Sequence, residues 1–275
     1  MSKKIAIQGI LGSFHHQVAQ EYFGEDVEVD ECLSFDALVD SLLSKESSVA
    51  VMAIENSIAG SIIPNYARID DNDLHIIGEH YISVHHNLLA LKGQSIADIK
   101  EVYSHPMALL QCKAFFRQYP HIKLIEDVDT AEVARRIQQG NLKGVGAIAS
   151  KIAADIFELD ILAERIQTMT NNSTRFVIIQ TQNSVIPIAE INKASVKFEL
   201  GSKRGSLATV LNVMSDCRLN LTKIQSLPKI ETPWRYSFFV DVTFEEYADF
   251  QKAKSLLALM ASEFKIHGEY KNTMR

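Results

Sequence analysis

The stretch Asn171-Asn172-Ser173-Thr174-Arg175-Phe176-Val177-Ile178-Ile179 sets two amides, two hydroxyls and a guanidinium directly before an apolar run. Phe176 to Ile179 has the composition of a buried strand. Polar donors at the edge of such a strand are anchored by the core behind them, so they have little freedom to move. Fixed donors beside a cation suit a small anionic molecule. The same residues also fit a polar turn that leads into a strand and carries a surface arginine. Both readings stand on this segment alone.

Outward from it, the first two thirds of the chain alternate strands and helices. Ile5-Ala6-Ile7 reads as a strand, Gly9 to Ser13 as a turn, and His15 to Phe23 as a helix ended by Gly24. Phe35 to Leu43 has helical spacing and Val49 to Ile54 is an apolar strand. Glu101-Val102-Tyr103 runs into Ser104-His105-Pro106 and a helix through Phe116, with proline in the first turn and Ser104 or His105 as cap. Lys123-Leu124-Ile125 and Val145 to Ala149 each precede a further helix. Such alternation predicts an α/β fold, with a largely parallel sheet covered by helices. Tyr81 to Leu91 reads as a crossing to a second lobe and Phe176 to Gln180 as the return, which would leave a cleft between two lobes.

Thr181 to Lys193, with Pro187 and no clear period, reads as a linker. It separates expected domains at 1–182 and 193–275. Beyond it come a strand (Ser195 to Leu200), a helix (Ser206 to Asp216), strands at Asn220 to Ser226 and Arg235 to Val242, a helix (Glu245 to Phe264) and a strand (Lys265 to Tyr270). That order, βαββαβ, is a ferredoxin-like unit.

A chain of 275 residues holds two domains rather than three. A net charge of −6 without a Lys/Arg run argues against nucleic acid. Cys32, Cys112 and Cys217 are odd in number and widely spaced, which suits reduced thiols in the cytoplasm. The start, Met1-Ser2-Lys3-Lys4, lacks the apolar run of a signal peptide, and no stretch approaches the roughly 20 apolar residues of a membrane span. The pairs His15-His16 and His85-His86 lack companions at zinc spacing, so no metal is expected. No Gly-x-Gly-x-x-Gly, phosphate-loop lysine or Gly-x-Ser-x-Gly elbow is present, and no cofactor is expected.

In open α/β sheets, ligands sit beyond the carboxyl ends of the strands. Polar clusters fall at three such points. Gly9 to Ser13 could bring backbone N–H groups to an anion or be an ordinary tight turn. Glu55-Asn56-Ser57 follows the strand ending at Ile54 and is either a site or a helix cap. Ser104-His105-Pro106 follows a third strand and is either a site or a helix cap; the helix carries Gln111 and Cys112 one to two turns on, and Gln111 faces a cleft or solvent.

Taken together, Gly9-Ile10-Leu11-Gly12-Ser13-Phe14, Glu55-Asn56-Ser57-Ile58-Ala59-Gly60, Ser104-His105-Pro106 with Gln111-Cys112, and Asn172-Ser173-Thr174-Arg175-Phe176 resemble the ordered motifs of prephenate dehydratase. The terminal βαββαβ unit resembles the ACT regulatory domain fused to it. The resemblance spans nearly the whole chain. It implies two lobes like those of periplasmic solute-binding proteins, a site in the cleft, and loss of carbon dioxide and water from prephenate to give phenylpyruvate without a cofactor. It assigns catalysis to Thr174, Asn56 and Gln111. Substrate contacts fall to Arg175, Glu55, Ser57, Ser13, Ser104, His105 and Phe176. An arginine would grip a carboxylate in a two-pronged contact.

The ACT resemblance implies phenylalanine as effector. Its contacts would be Gly205, Ser206, Leu207 and Ala208 in the first loop, Asn220 and Leu221, and Gln225, Ser226 and Pro228. The family usually has Glu-Ser-Arg-Pro where this chain has Gln225-Ser226-Leu227-Pro228. A homodimer or homotetramer in the cytoplasm follows by the same analogy. Two rivals remain: arogenate dehydratase, and a non-catalytic binding protein of the same fold.

Overall fold

The computed structural model describes residues 4–182, 186–201, 203–229, 232 and 235–274; the expected linker falls partly outside them. The chain divides into two compact units, Met1–Gly60 with Tyr81–Phe176, and Ser61–His80 with Val177–Arg275.

The chain begins β1 (Ile5–Gln8), α1 (Phe14–Phe23), β2 (Val29–Cys32), α2 (Phe35–Leu43), β3 (Val49–Asn56), β4 (Gly60–Ser61), α3 (Ile63–Asp71) and β5 (His75–Ser83). It continues β6 (Asn87–Ala90), β7 (Glu101–Ser104), α4 (Pro106–Phe116), β8 (Lys123–Glu126), α5 (Thr130–Gln139), β9 (Val145–Ala149), α6 (Lys151–Ile156), β10 (Asp160–Ala163) and β11 (Ser173–Gln180). One sheet runs β2-β1-β3-β11-β5, with β4 on β3; a second runs β10-β6-β9-β7-β8. β1 is parallel to β2 and β3, and β7 to β8 and β9.

The two α/β lobes expected from the alternation are present. Val49 to Ile54 is buried throughout, as a parallel strand covered on both faces should be. Helices begin where strands end because capping residues wait there: Ser13, Ser34, Asp129 and Ser150 each accept a first-turn backbone N–H. The crossing run Tyr81 to Leu91 is not one strand. β5 ends at Ser83 and β6 starts at Asn87 in the other sheet, so the change of sheet falls on Val84-His85-His86. The return strand starts at Ser173, not Phe176. No helix among the described residues is long and apolar enough to cross a membrane.

In the second unit, β12 (Lys193–Glu199), α7 (Ser206–Asp216), β13 (Asn220–Pro228), β14 (Tyr236–Thr243), α8 (Tyr247–Met260) and β15 (Glu263–Tyr270) form the expected βαββαβ fold. Its antiparallel sheet runs β13-β14-β12-β15. One face of β12, with Ala194, Val196 and Phe198, joins Val210, Met214, Val240, Phe250 and Leu257 in an apolar core under both helices. Its other face carries Lys193, Ser195 and Lys197. Alternation of this kind predicts a solvated face, yet all three are buried. Carboxylates from α3 and β5, in the same unit, meet the two lysines. Lys193 Nζ donates to both oxygens of Glu79 at 2.9 and 2.8 Å. Lys197 meets Asp70 at 2.6 Å. Ser195 donates to Asp241 at 2.5 Å and meets the Tyr270 hydroxyl at 2.6 Å. β15 passes so close to β5 that a Cβ on Gly268 would lie 2.1 Å from the Ile76 carbonyl oxygen, so only glycine fits.

Removing one member of a buried ion pair strands the other charge, at a cost of about 3–5 kcal/mol. Lys193→Met should therefore destabilise the protein by about that much, and Lys193→Met with Glu79→Leu should restore most of it. Urea unfolding of the three proteins checks this; a double variant no better than the single one would contradict it.

His15 supplies a second check. Its ring lies in the core edge-on to Phe176 at 4.9 Å, and its Nε2 accepts the Ala53 N–H at 3.3 Å. Burial pushes its pKa down to about 3. An unfolded histidine titrates near about 6.5, so below that pH the unfolded chain takes a proton the folded chain refuses. Stability must fall as pH drops from 6.5 toward 3. His15→Gln, which keeps an acceptor and does not titrate, should lose less melting temperature between pH 7 and pH 4 than the wild type; an unchanged slope would contradict this.

Candidate active site

β3 and β11 are neighbours, and their polar ends lock together. The Ser57 N–H donates to the Ser173 carbonyl at 2.8 Å, and the Ser173 N–H donates to Ser57 Oγ at 2.9 Å. Ser57 Oγ donates in turn to the Asn171 carbonyl at 3.2 Å. This clasp holds Asn56 beside Asn172 and Thr174.

The Asn56 carboxamide has only one possible orientation. The N–H groups of Ile58 and Ala59 point at one of its ends at 2.9 and 2.8 Å, and an N–H can only donate, so that end is the oxygen. Its Nδ2 therefore faces the other way and donates to Asn172 Oδ1 at 2.7 Å and Thr174 Oγ1 at 2.9 Å. Asn172 is oriented by that bond, and its Nδ2 donates to Gln111 Oε1 at 2.9 Å. His86 Nε2 reaches the same Gln111 oxygen at 2.9 Å.

Polarity thus runs one way through the cluster and ends on two donors. Thr174 Oγ1 accepts from Asn56, and its own hydrogen is bonded to no described residue. Gln111 Oε1 is doubly occupied, and its Nε2 is likewise bonded to no described residue. A buried hydroxyl and an amide N–H pair are held in place with their hydrogens uncommitted, an arrangement able to stabilise charge on a departing or anionic oxygen. The hydrogen bonds of this cluster use no lysine or arginine side chain.

Strand alternation decides where the rest of the opening motif points. Thr174 and Phe176 share one face of β11, with Asn172 just before the strand, and Phe176 packs on His15. Arg175 is buried and lies on the opposite face. Glu55 likewise stands opposite Asn56 on β3. Neighbours in a strand diverge, so the Arg175 side chain leaves β11 on the face opposite the Thr174 hydroxyl.

Other expected residues serve the frame. Ser104, fully buried, donates its hydroxyl to the Ile148 carbonyl at 2.7 Å. His105, exposed, caps α4 by accepting the Met107 N–H at 3.2 Å. Ser13 accepts the His16 N–H at 3.2 Å as cap of α1. The Gly9–Ser13 loop does not cradle an anion through its amides. The Leu11 N–H donates to Glu31, the Gly12 N–H to His16 Nδ1 and the Ser13 N–H to the Ile10 carbonyl. Gly12 is required there for another reason: at φ +86° its missing Cβ lets the loop lie against Ala153, whose Cα would be 3.0 Å from it.

Asn172 and His86 were not singled out from sequence as site residues. Asn172 could have been found from its position two before Thr174. His86 gave no such signal, because its partner lies on α4. Among the described residues, no group of three or more His, Cys, Asp or Glu could hold a metal.

In the second unit, a cavity of about 280 Å³ is lined by Gly205, Ser206, Leu207 and Ala208, together with Lys203, Arg235 and the apolar Leu200 and Phe238. Asn220, Leu221, Gln225, Ser226 and Pro228 do not line it. They lie along β13, an edge strand of the sheet.

Residues 5–184 match the family model described as prephenate dehydratase. A bifunctional chorismate mutase/prephenate dehydratase of Buchnera aphidicola is 31% identical over 85% of this chain and 62% of its own length. The arogenate dehydratase/prephenate dehydratase 2 of Arabidopsis thaliana is 35% identical over 86% of this chain and 64% of its own. The chain thus spans less than two thirds of those curated relatives. A crystal structure of prephenate dehydratase from Arthrobacter aurescens in complex with L-Phe superposes with a TM-score of 0.88 at 22% identity, covering 98% of this chain and 90% of that one. With the Glu-Asn-Ser and Thr-Arg-Phe motifs meeting at one hydrogen-bonded cluster, and the family model covering both lobes, the chain belongs to the prephenate dehydratase family.

Proposed function

We propose that this chain converts prephenate to phenylpyruvate, for phenylalanine synthesis in the cytoplasm, with the reaction at Thr174. The observation that carries the reading is the Thr174 hydroxyl, whose oxygen is held by Asn56 and whose hydrogen is uncommitted.

The chemistry asks for little more. The bond from the ring to its carboxylate breaks and carbon dioxide leaves. That electron pair moves through the ring diene, and the bond to the ring hydroxyl breaks at the far side. The departing hydroxide takes one proton and leaves as water. The ring becomes aromatic, so much of the driving force resides in the substrate. The step is redox-neutral, and no cofactor enters the balance. Thr174 O–H donates to the departing oxygen. As its proton shifts outward, negative charge grows on Oγ1, where the Asn56 N–H at 2.9 Å stabilises it. Gln111 Nε2 offers a second donor to the same oxygen or to a carboxylate. On this reading Phe176 backs the hydroxyl, Ser57 and Ser104 hold the frame, and Arg175 steadies β11 from its other face.

Regulation by phenylalanine belongs to the same proposal, with domains at 1–182 and 193–275. The cavity beside Gly205–Ala208 offers Leu207 and Phe238 to a ring and the Arg235 and Lys203 cations to a carboxylate. Arg235 would take the part that an arginine plays in the family's second motif, since the chain has the buried Leu227 there. Exposed residues of the edge strand β13 fit pairing with a second copy of the chain.

Thr174→Ala should lower kcat by about 10²- to 10⁴-fold with the fold intact, and Thr174→Ser should retain most of the activity. Arg175→Lys should change neither kcat nor KM by more than about threefold while lowering the melting temperature. The assay offers prephenate and arogenate side by side, because one carries a keto group where the other carries an ammonium. Wild-type turnover by Thr174→Ala would contradict the assignment. Phenylalanine titrated calorimetrically into the wild type should bind, and Arg235→Ala should weaken binding by about tenfold or more. Absence of heat with an unchanged rate would refute the regulatory part.

A further inference from the structure

We propose that His86 is a positioning residue for the reaction: its Nε2–H pins the Gln111 carboxamide with the oxygen turned inward, so that the Gln111 amide N–H pair is delivered to the substrate. This rests on the functional reading above and adds a residue to it.

The direction of the cluster is set at Asn56. Backbone N–H groups orient Asn56, Asn56 orients Asn172, and Asn172 Nδ2 presents a donor to Gln111 at 2.9 Å. The Gln111 atom facing Asn172 is therefore the oxygen, and His86 Nε2, 2.9 Å from that same oxygen, must be a donor. The neutral ring is thereby set with hydrogen on Nε2 and a bare Nδ1. The surroundings agree. His86 Nδ1 is buried with no hydrogen-bond partner, a position that tolerates a lone pair far better than an N–H.

The residue is also held in place. Phe14 lies edge-on to the ring at 5.8 Å, while the backbone is fixed by the His86 main-chain N–H donating to Gln167 Oε1 at 3.0 Å and by the Ile166 N–H donating to the His86 carbonyl at 2.8 Å. Position matters as well as chemistry, because His86 sits where the chain passes from β5 to β6. Asn172 alone gives Gln111 Oε1 one donor, which leaves the amide free to swing about that bond. A second donor on the same oxygen restrains that swing. A histidine with the opposite tautomer would turn Gln111 around and present its oxygen, an acceptor, to an anionic substrate.

The test is a double-mutant cycle on prephenate turnover with His86→Phe, Gln111→Ala and the pair. His86→Phe keeps the ring and its contact with Phe14 but loses the donor. It should lower kcat about five- to tenfold, the worth of one hydrogen bond, with KM changed less. In the Gln111→Ala background it should cost nothing further, because there is no carboxamide left to orient. His86→Gln, which returns an N–H donor near the Nε2 position, should recover most of the loss. Should His86→Phe fail to fold, His86→Asn, whose shorter side chain withdraws the donor from Gln111, is judged by the same criteria. An unaltered kcat in His86→Phe, or an equal loss with and without Gln111, would overturn this inference while leaving the functional reading intact. A wild-type chain that turns over neither prephenate nor arogenate would overturn that reading, and this inference with it.

Discussion

Two backbone N–H groups, those of Ile58 and Ala59, fix which way round the Asn56 carboxamide sits, and the chemistry of the site depends on that orientation. A carboxamide is close to symmetric in shape and opposite in polarity at its two ends. Reversed, it would accept from Thr174 and consume the only hydrogen the hydroxyl has. As placed, it donates, and the hydroxyl hydrogen stays uncommitted among the described residues. The turn after β3 thus sets the polarity of a cluster whose other members come from β11, α4 and the passage between β5 and β6.

The energetic logic is one of preorganisation. Each bond in the cluster is an ordinary hydrogen bond, worth about 1 kcal/mol to stability. Their common direction leaves each acceptor filled by the protein and the Thr174 and Gln111 donors uncommitted among the described residues. Behind them the core is rigid: Phe176 and His15 pack edge to face, and the strands that carry the cluster are buried along their length. The second unit uses the opposite device. There the polar face of β12 is closed by ion pairs to Asp70 and Glu79. Such pairs specify a partner more than they add stability, because desolvating the charges offsets most of their attraction.

Much of this was legible in the sequence. Strand–helix alternation announced the two α/β lobes, and α7 and the βαββαβ order fell where the periodicity placed them. Thr174, Asn56 and Gln111 were named together, and they meet. What the chain did not disclose has physical causes. Arg175 was grouped with Thr174 because the two are adjacent, yet adjacency in a strand means opposite faces. The turn at Gly9–Ser13 looked ready for an anion, but its amides are taken by Glu31, His16 and Ile10. Nothing local marks the Lys193-Ser195-Lys197 face as buried, because Glu79 and Asp70, which pair with the two lysines, lie more than a hundred residues earlier in the chain. His86 is defined by Gln111, 25 residues on, across a turn that no local pattern reveals.

If Asn56 donates to Thr174 and so leaves the threonine hydrogen for the substrate, the pH dependence of kcat in Asn56→Asp must show it. An ionised aspartate still accepts from Ile58 and Ala59, but its second oxygen can only accept, so it captures the Thr174 hydrogen. Turnover at neutral pH should be depressed as deeply as by loss of the hydroxyl itself, with partial recovery as falling pH protonates the carboxyl and restores a donor. Near-wild-type turnover at pH 8 by a folded Asn56→Asp variant would contradict this.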